Sequence, residues 1–335
     1  MTRHLFCRLH LLSSLILIST GLQAQTSRSP QGSATPDQFI DTFAKIFGVH
    51  QGERKGHAKG VCVIGEFQGD KTLAAYSNSP LFSGEVFPLT GRFSMAGGNP
   101  KAAENSRSPR GFAAQIKLNN GELQHFALLS TPVFGAKDPD TFLGLLQASI
   151  PDATTGKPDP AKIAAYRQAH PDTQPQADYL AKTAPPASYG ATAYFGLHSF
   201  YLQNGNGQPQ AVRWQLRPVD AVQGLTASEI AAPAQDFLQQ RLTDRLAQGA
   251  LKFKLELVLA QAGYPLLDPS QAWPTQSKVL AGGEFRITQS GGDQCKNINF
   301  DPNVLASGIS PSADPVLLMR SAAYAISFGK RLSGQ

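Results

Sequence analysis

Cysteine is scarce in this chain, with three residues in 335. Cys7 falls in the N-terminal segment, so the rest of the chain holds only Cys62 and Cys295. Two distant cysteines leave room for one disulfide but exclude the framework of a small disulfide-stapled domain. Cys62 has no base beside it in sequence and reads as a small core residue rather than a nucleophile. Membrane-length apolar runs are missing too: Leu11 to Ile18 is too short to span a bilayer. There is no run of Lys or Arg, no zinc-finger spacing and no RNA-binding signature. The net charge of +6 therefore reads as solubility, with some attraction for anionic cofactor groups, and not as a nucleic-acid footprint. Internal repeats are absent, and His125, His170 and His198 stand at no metal-ligand spacing, so they read as structural.

What is present suits a globular protein with many turns: 41% hydrophobic residues, 16% charged, 31 Gly and 24 Pro. The length permits one large domain or two ordinary ones, with enough core to enclose a cofactor. The first 24 residues have the layout of a secretory signal. Arg3, His4, Arg8 and His10 form a basic start, Leu11 to Ile18 the apolar stretch, and Leu22-Gln23-Ala24 a small-residue cleavage site. Cys7 precedes that site, which argues against a lipoprotein anchor. Loss of Arg3 and Arg8 with the leader lowers the formal charge from +6 to about +4. Residues 25–35, rich in Ser, Pro and Gln, read as a flexible linker, and residues 36–335 as the folded domain. Export then places the protein in the periplasm.

From Pro36 a short amphipathic helix is expected, with Phe39, Phe43, Ile46 and Phe47 as its apolar stripe. Segments from His57 to Arg217 change period. Val61 to Phe67, Phe112 to Leu118 and Val212 to Leu216 are strand-like, separated by turns such as Asn119-Asn120-Gly121 and Asn204-Gly205-Asn206-Gly207. Pro139 to Ala148 and Pro160 to His170 read as helices. Ala234 to Ala262 reads as the longest helical pattern, with Phe237, Leu238, Leu242, Leu246, Leu251, Leu255 and Leu259 on one stripe. Asp314-Pro315 supplies an N-cap and a first-turn proline for a last helix. The mixture is α+β, with helices packed on an antiparallel barrel.

Two clusters carry chemistry. On the last helix Arg320, Tyr324, Ser327 and Arg331 fall within an arc of roughly 60°. Leu318, Met319, Ala322, Ala325 and Ile326 occupy the other side. A guanidinium one helical turn from a phenol favours its anionic, metal-binding form, and Arg320 is placed to do this for Tyr324. The same spacing also suits a solvent-facing stripe. The second cluster is Arg54-Lys55-Gly56-His57-Ala58-Lys59-Gly60 with Arg92-Phe93-Ser94. A histidine among glycines, with a serine to fix its tautomer, can act as a general base, or simply be a hydrogen-bonded structural residue. Arg54 and Arg92 add two cations suited to carboxylates.

These residues resemble the catalase family. Arg54-x-x-His57-Ala58-Lys59-Gly60 is similar to that family's active-site segment. Arg92-Phe93-Ser94 and Arg107-x-Pro109-Arg110-Gly111-Phe112-Ala113 resemble a second signature, Ser130-Thr131-Pro132-Val133-Phe134 with Asp138 a third, and Ser188-Tyr189-Gly190 with Gly196-x-His198-x-Phe200 a fourth. Gly308-Ile309-x-Pro311-Ser312-x-Asp314 and Arg320-x-x-x-Tyr324 resemble the segment of the iron ligand. All run in family order from about residue 38 to residue 332. The resemblance implies a catalase-like antiparallel β-barrel enclosing haem b, with helical additions. It implies Tyr324 as the axial iron ligand, the ligand type of catalases, and Arg320 as partner of its oxygen. His57 would be the catalytic base, Ser94 the group that holds its ring, and Arg54, Arg92 and Arg331 the arginines on the propionates. Phe134 and Phe142 match aromatic positions near the haem and its channel.

The chain also departs from that pattern. Typical catalases carry an asparagine that hydrogen-bonds peroxide just before the Ser-Thr-Pro segment, whereas here the residue is Leu129. Gly56 and Ala96 stand where relatives often carry bulkier residues. The family's C-terminal helical segment and any flavodoxin-like extension are not found after Arg331, which puts interlocked tetramers and a nicotinamide cofactor in doubt. The expectation is a haem peroxidase that uses hydrogen peroxide, or organic peroxides, with small organic electron donors. It would have weak dismutation and exist as a monomer or small homo-oligomer without a stable membrane anchor. A true catalase and a non-catalytic haem or lipid carrier are the competing readings.

Overall fold

A computed structural model describes residues 1–2, 34–233 and 236–335. The signal segment beyond residue 2 and the linker up to residue 33 lie outside the described residues, as do residues 234 and 235 of the expected long helix. The strands are β1 (Gly60–Gly69), β2 (Val86–Met95), β3 (Arg110–Lys117), β4 (Leu123–Leu129), β5 (Tyr194–Phe195), β6 (Phe200–Leu202), β7 (Gln210–Pro218), β8 (Leu251–Leu259), β9 (Val279–Ser290) and β10 (Ile309–Pro311). The α-helices are α1 (Pro36–Phe47), α2 (Pro139–Ala148), α3 (Pro160–Ala169), α4 (Gln174–Lys182), α5 (Ala227–Ala231), α6 (Leu238–Ala247) and α7 (Pro315–Leu332).

The sheet runs β10-β6-β7-β5-β4-β3-β2-β1-β9-β8, and β7 pairs again with β8. That last pairing closes eight antiparallel strands into a barrel and leaves β6 and β10 as a flap on β7. Closure removes the edges that would otherwise expose unpaired backbone groups. The lumen is filled rather than hollow. Phe67, Phe93, Phe112, Phe126, Phe253 and Phe285 meet there, each at most 1% exposed. Strand side chains alternate between faces, so where Phe93 and Phe112 point inward, Arg92, Ser94, Gly111 and Ala113 face the outer side. Enclosure of a site must therefore come from that outer face, under the helical and loop layer, and not from the lumen.

The helix expected over 234–262 is not formed as one element. Among the described residues α6 ends at Ala247, and Leu251–Leu259 is strand β8. The reason is visible in Leu-Lys-Phe-Lys-Leu-Glu-Leu-Val-Leu. Leu251, Phe253, Leu255, Leu257 and Leu259 are buried while Lys252, Lys254, Glu256 and Val258 are not, a period of two that also satisfies every i,i+4 pair. Gly249, at φ +124°, breaks the chain between the two elements. Among the described residues the longest helix is instead α7, with 18 residues. Asp314 caps it by accepting from the Val316 and Leu317 backbone N–H groups, with Pro315 in the first turn. Helix α1 packs against α7 and α2. Among the described residues no helix is long and apolar enough to cross a membrane.

Candidate active site

The outer face of the barrel wall carries a row of residues set by strand register. Gly60 pairs with Ser94, Ser94 with Gly111, Gly111 with Leu129, and Leu129 with Phe195. Paired residues in an antiparallel sheet share a face. Ser94 and Leu129 therefore stand on one wall with Gly111 between them. His57, in the loop that enters β1, lies against this wall, and its Nδ1 is 2.9 Å from Ser94 Oγ.

His57 is held in an unfavourable backbone state. Its φ of +57° makes it the only non-glycine residue with positive φ among the described residues, a conformation that costs about 1–3 kcal/mol and persists only when its surroundings enforce it. Arg92 does the enforcing. Its Nη1 donates to His57 O at 2.7 Å and its Nη2 to Ala58 O at 2.8 Å. Gly111 makes the approach possible, because a Cβ there would sit 2.8 Å from both His57 Nδ1 and Ser94 Oγ. Lys55 ties the same loop to α7: its backbone N–H donates to Ser327 Oγ at 3.4 Å, and its Nζ to Gln335 O at 2.6 Å.

His57 keeps some exposure at its surface but lies deep in the protein. Burial, reinforced by Arg92, Arg320 and Arg54, pushes its pKa down to about 3. Imidazole is thus the working form at every pH above that value. A histidine whose folded pKa lies below the unfolded one (about 6.5) loses stability as pH falls, because the unfolded chain takes the proton first. Two outcomes follow. The rate of peroxide reaction should be flat from about pH 7 to 5 with no limb near 6.5, while stability declines over the window from 6.5 towards 3. A pH–rate profile with its midpoint near 6.5 would contradict the first.

Facing this loop, α7 presents the polar stripe. Arg320 Nη2 donates to Tyr324 Oη. A guanidinium has only donors, so the phenol oxygen must accept and keeps a further lone pair for another partner. Arg331 lies over the Phe328 ring at 4.9 Å, and its Nη2 is buried with no hydrogen-bond partner among the described residues. Arg54 is near Arg92, Arg331 and Tyr324. Burial first, then the Arg92 and Arg331 charges, holds it down to about 9, and burial takes Arg92 to about 10. No carboxylate of the described residues forms a salt bridge with Arg54, Arg92, Arg320 or Arg331. Buried cations without counter-charge are costly, and an orphaned guanidinium nitrogen among them fits an anionic guest. The two propionates of haem are such a guest, so the donor set fits the group.

The remaining expected residues fall as follows. Phe134 and Phe142 pack on one another with centroids 4.5 Å apart, and Phe142 also stacks on Phe39 of α1. The Arg92 guanidinium is committed to the backbone of the His57 loop, a role its sequence position does not suggest. His198 does more than fill the core. Its Nδ1 is 2.6 Å from Asp314 Oδ2, both buried, and its Nε2 has no partner among the described residues. Burial lowers its pKa, Asp314 opposes that, and the Arg320 charge adds to the lowering. Arg110, fully buried, donates to the carbonyls of Glu104, Ser106 and Ser108 and shapes the loop before β3. Cys62 and Cys295 are joined as a disulfide.

Comparison with known proteins bears on this site. The family model described as Catalase matches residues 27–335. A catalase-related peroxidase of Synechococcus elongatus is 43% identical over 303 residues, covering 90% of this chain and 89% of that protein. One of Mycolicibacterium paratuberculosis is 32% identical, covering 88% and 94%. A fungal catalase crystal structure superposes with a TM-score of 0.77 at 22% identity. The match covers 88% of this chain but 62% of the fungal protein, which establishes the likeness of fold.

Proposed function

Because the chain belongs to the catalase family, we propose that it is an exported haem peroxidase that reduces hydrogen peroxide with small organic electron donors and dismutates it poorly. The cofactor of this reading is haem b held through Tyr324 Oη. The compartment is the periplasm, reached by removal of residues 1–24. One observation carries the reading: a cation-backed phenol and a neutral, serine-locked imidazole border the same cluster of arginines that lack carboxylate partners.

Bound there, haem supplies the redox chemistry that no side chain of this site offers. Arg320 keeps the Tyr324 oxygen oriented as an acceptor. Arg54 and Arg331 hold the propionates, with Arg92 behind them bracing the His57 loop. His57, kept neutral, can take the proton from one peroxide oxygen and return it to the other. Ser94 and Gly111 fix the ring for both transfers.

Leu129 sets the outcome. It stands on the His57 wall, two strands from Ser94, and offers no hydrogen bond to a second peroxide. It leaves that side of the site apolar, which suits organic donors and organic hydroperoxides. An oriented donor in a dry site is worth about 3 kcal/mol. Leu129→Asn should therefore raise oxygen release from peroxide alone by about tenfold or more, read on an oxygen electrode without donor. Unchanged oxygen release would remove Leu129 from the explanation.

A further inference from the structure

The segment from Gly291 to Asn303 joins parts of the molecule that are remote in sequence, and the disulfide is its anchor. Cys62 lies on the outer face of β1 and Cys295 is fully buried, with Cα atoms 5.4 Å apart across 233 residues of chain. Around the bond, the Gly291 N–H donates to Cys62 O at 2.8 Å and the Cys295 N–H to Cys62 Sγ at 3.3 Å. Ile298, Phe300 and Ala113 pack with the two cysteines as a small core of their own.

Two carbonyls of this anchored segment aim Arg54. Its Nη2 donates to Cys295 O at 3.1 Å and to Ile298 O at 3.0 Å, and its guanidinium lies 5.6 Å from the Phe300 ring centroid. With no carboxylate paired to Arg54 among the described residues, these neutral contacts are what orient it. The same segment then reaches α7. Ser321 Oγ donates to Asp301 Oδ1 at 3.0 Å, and Asn303 Nδ2 to Leu317 O and Ser321 Oγ. One tethered loop thus touches a strand of the His57 wall, an arginine of the anion site and the helix of Tyr324.

We propose that the Cys62–Cys295 disulfide is a positioning device for Arg54: by pinning the carbonyls of residues 295 and 298 it holds the guanidinium where a haem propionate meets it, so that haem retention depends on the oxidised bond. This rests on the haem reading above. The dependence is reciprocal, because any factor the bond adds to haem affinity is a factor that bound haem adds to the bond's resistance to reduction. When a dithiol reduces the bond, the S–S bond breaks, each protein sulfur gains one electron and one proton, and the dithiol closes to its own disulfide.

The test is transfer of haem from the holoprotein to excess apomyoglobin, followed by absorbance. Cys62→Ala with Cys295→Ala should speed haem loss about tenfold, and Arg54→Ala by a similar factor, as expected for one charge-assisted contact. The combined variant should lose haem no faster than Arg54→Ala alone, because both changes remove the same contact. Arg331→Ala, a separate contact, should add its full effect to either. An unchanged rate in the cysteine-free chain, or full additivity with Arg54→Ala, overturns the proposal. Wild-type protein that takes up no haem overturns the haem reading itself and is recognised by the missing Soret band. If the cysteine-free chain does not fold, equilibrium reduction of the wild-type bond in a dithiol buffer decides. Holoprotein should stay oxidised at about tenfold more reducing dithiol ratios than apoprotein, and equal titrations would overturn the proposal.

Discussion

Replacement of His57 by alanine will leave haem bound and lower the rate of peroxide reaction by about 10²–10⁴-fold, the usual yield of a positioned acid–base group. The separation of the two effects is what makes the result informative. His57 lies in the loop before β1, while the groups assigned to haem retention are Tyr324 on α7 and the guanidinium groups of Arg54 and Arg331. The imidazole makes one side-chain hydrogen bond, to Ser94, whose hydroxyl can turn to another partner once the ring is gone. Alanine also relieves little of the φ of +57°, since any L residue is strained there, so Arg92 still has its two carbonyls to hold. Stopped-flow mixing of holoprotein with peroxide measures the rate, and the Soret band measures the haem. A non-catalytic carrier would show no change in either. Parallel loss of haem and rate would mean that His57 acts through the fold.

The second large effect is expected for Tyr324→Phe, which keeps the ring and removes the oxygen. Haem should then be lost or retained at least about tenfold more weakly, and the ferric spectrum should change, because no other metal-binding side chain has been assigned to this position. The variant also strips Arg320 of its acceptor, and leaving a partly buried guanidinium unsatisfied costs about 1–3 kcal/mol. The apoprotein should still fold, since Tyr324 lies on the half-buried stripe of α7 and not in the lumen packing. Thermal melting of the apo form checks that point. Normal haem loading with an unchanged spectrum would sink the ligand assignment.

Much of this fold and site is legible in the amino-acid sequence, for a physical reason in each case. Strands β1, β3 and β7 show a period of two bounded by Gly and Asn turns, and α7 announces itself through Asp314-Pro315. The pairing of His57 with Ser94, and of Arg320 with Tyr324, is accessible because motif spacing carries it. Strand β8 passes for helix because Leu251, Leu255 and Leu259 satisfy helical and strand spacing alike. Only the intervening Phe253 and Leu257, opposite Lys252, Lys254 and Glu256, separate the two. What stays hidden depends on register and long-range closure. Nothing local reveals that Gly111 stands between Ser94 and Leu129, that Arg92 turns to the His57 backbone, or that Asp314, already used as a helix cap, also holds His198. Two cysteines leave a disulfide open, but a loop of 233 residues gives no signal of pairing, and still less of a contact with Arg54.

In the proposed function this site spends the oxidising power of peroxide on an organic donor and not on a second peroxide. Its most direct test is a stoichiometry on one holoprotein sample, following peroxide consumed, oxygen released and donor oxidised together. Without donor, peroxide consumption should be slow and little oxygen should appear; with donor, one peroxide should disappear for every two electrons the donor gives up. Rapid release of one oxygen for every two peroxides, in the absence of any donor, would contradict it.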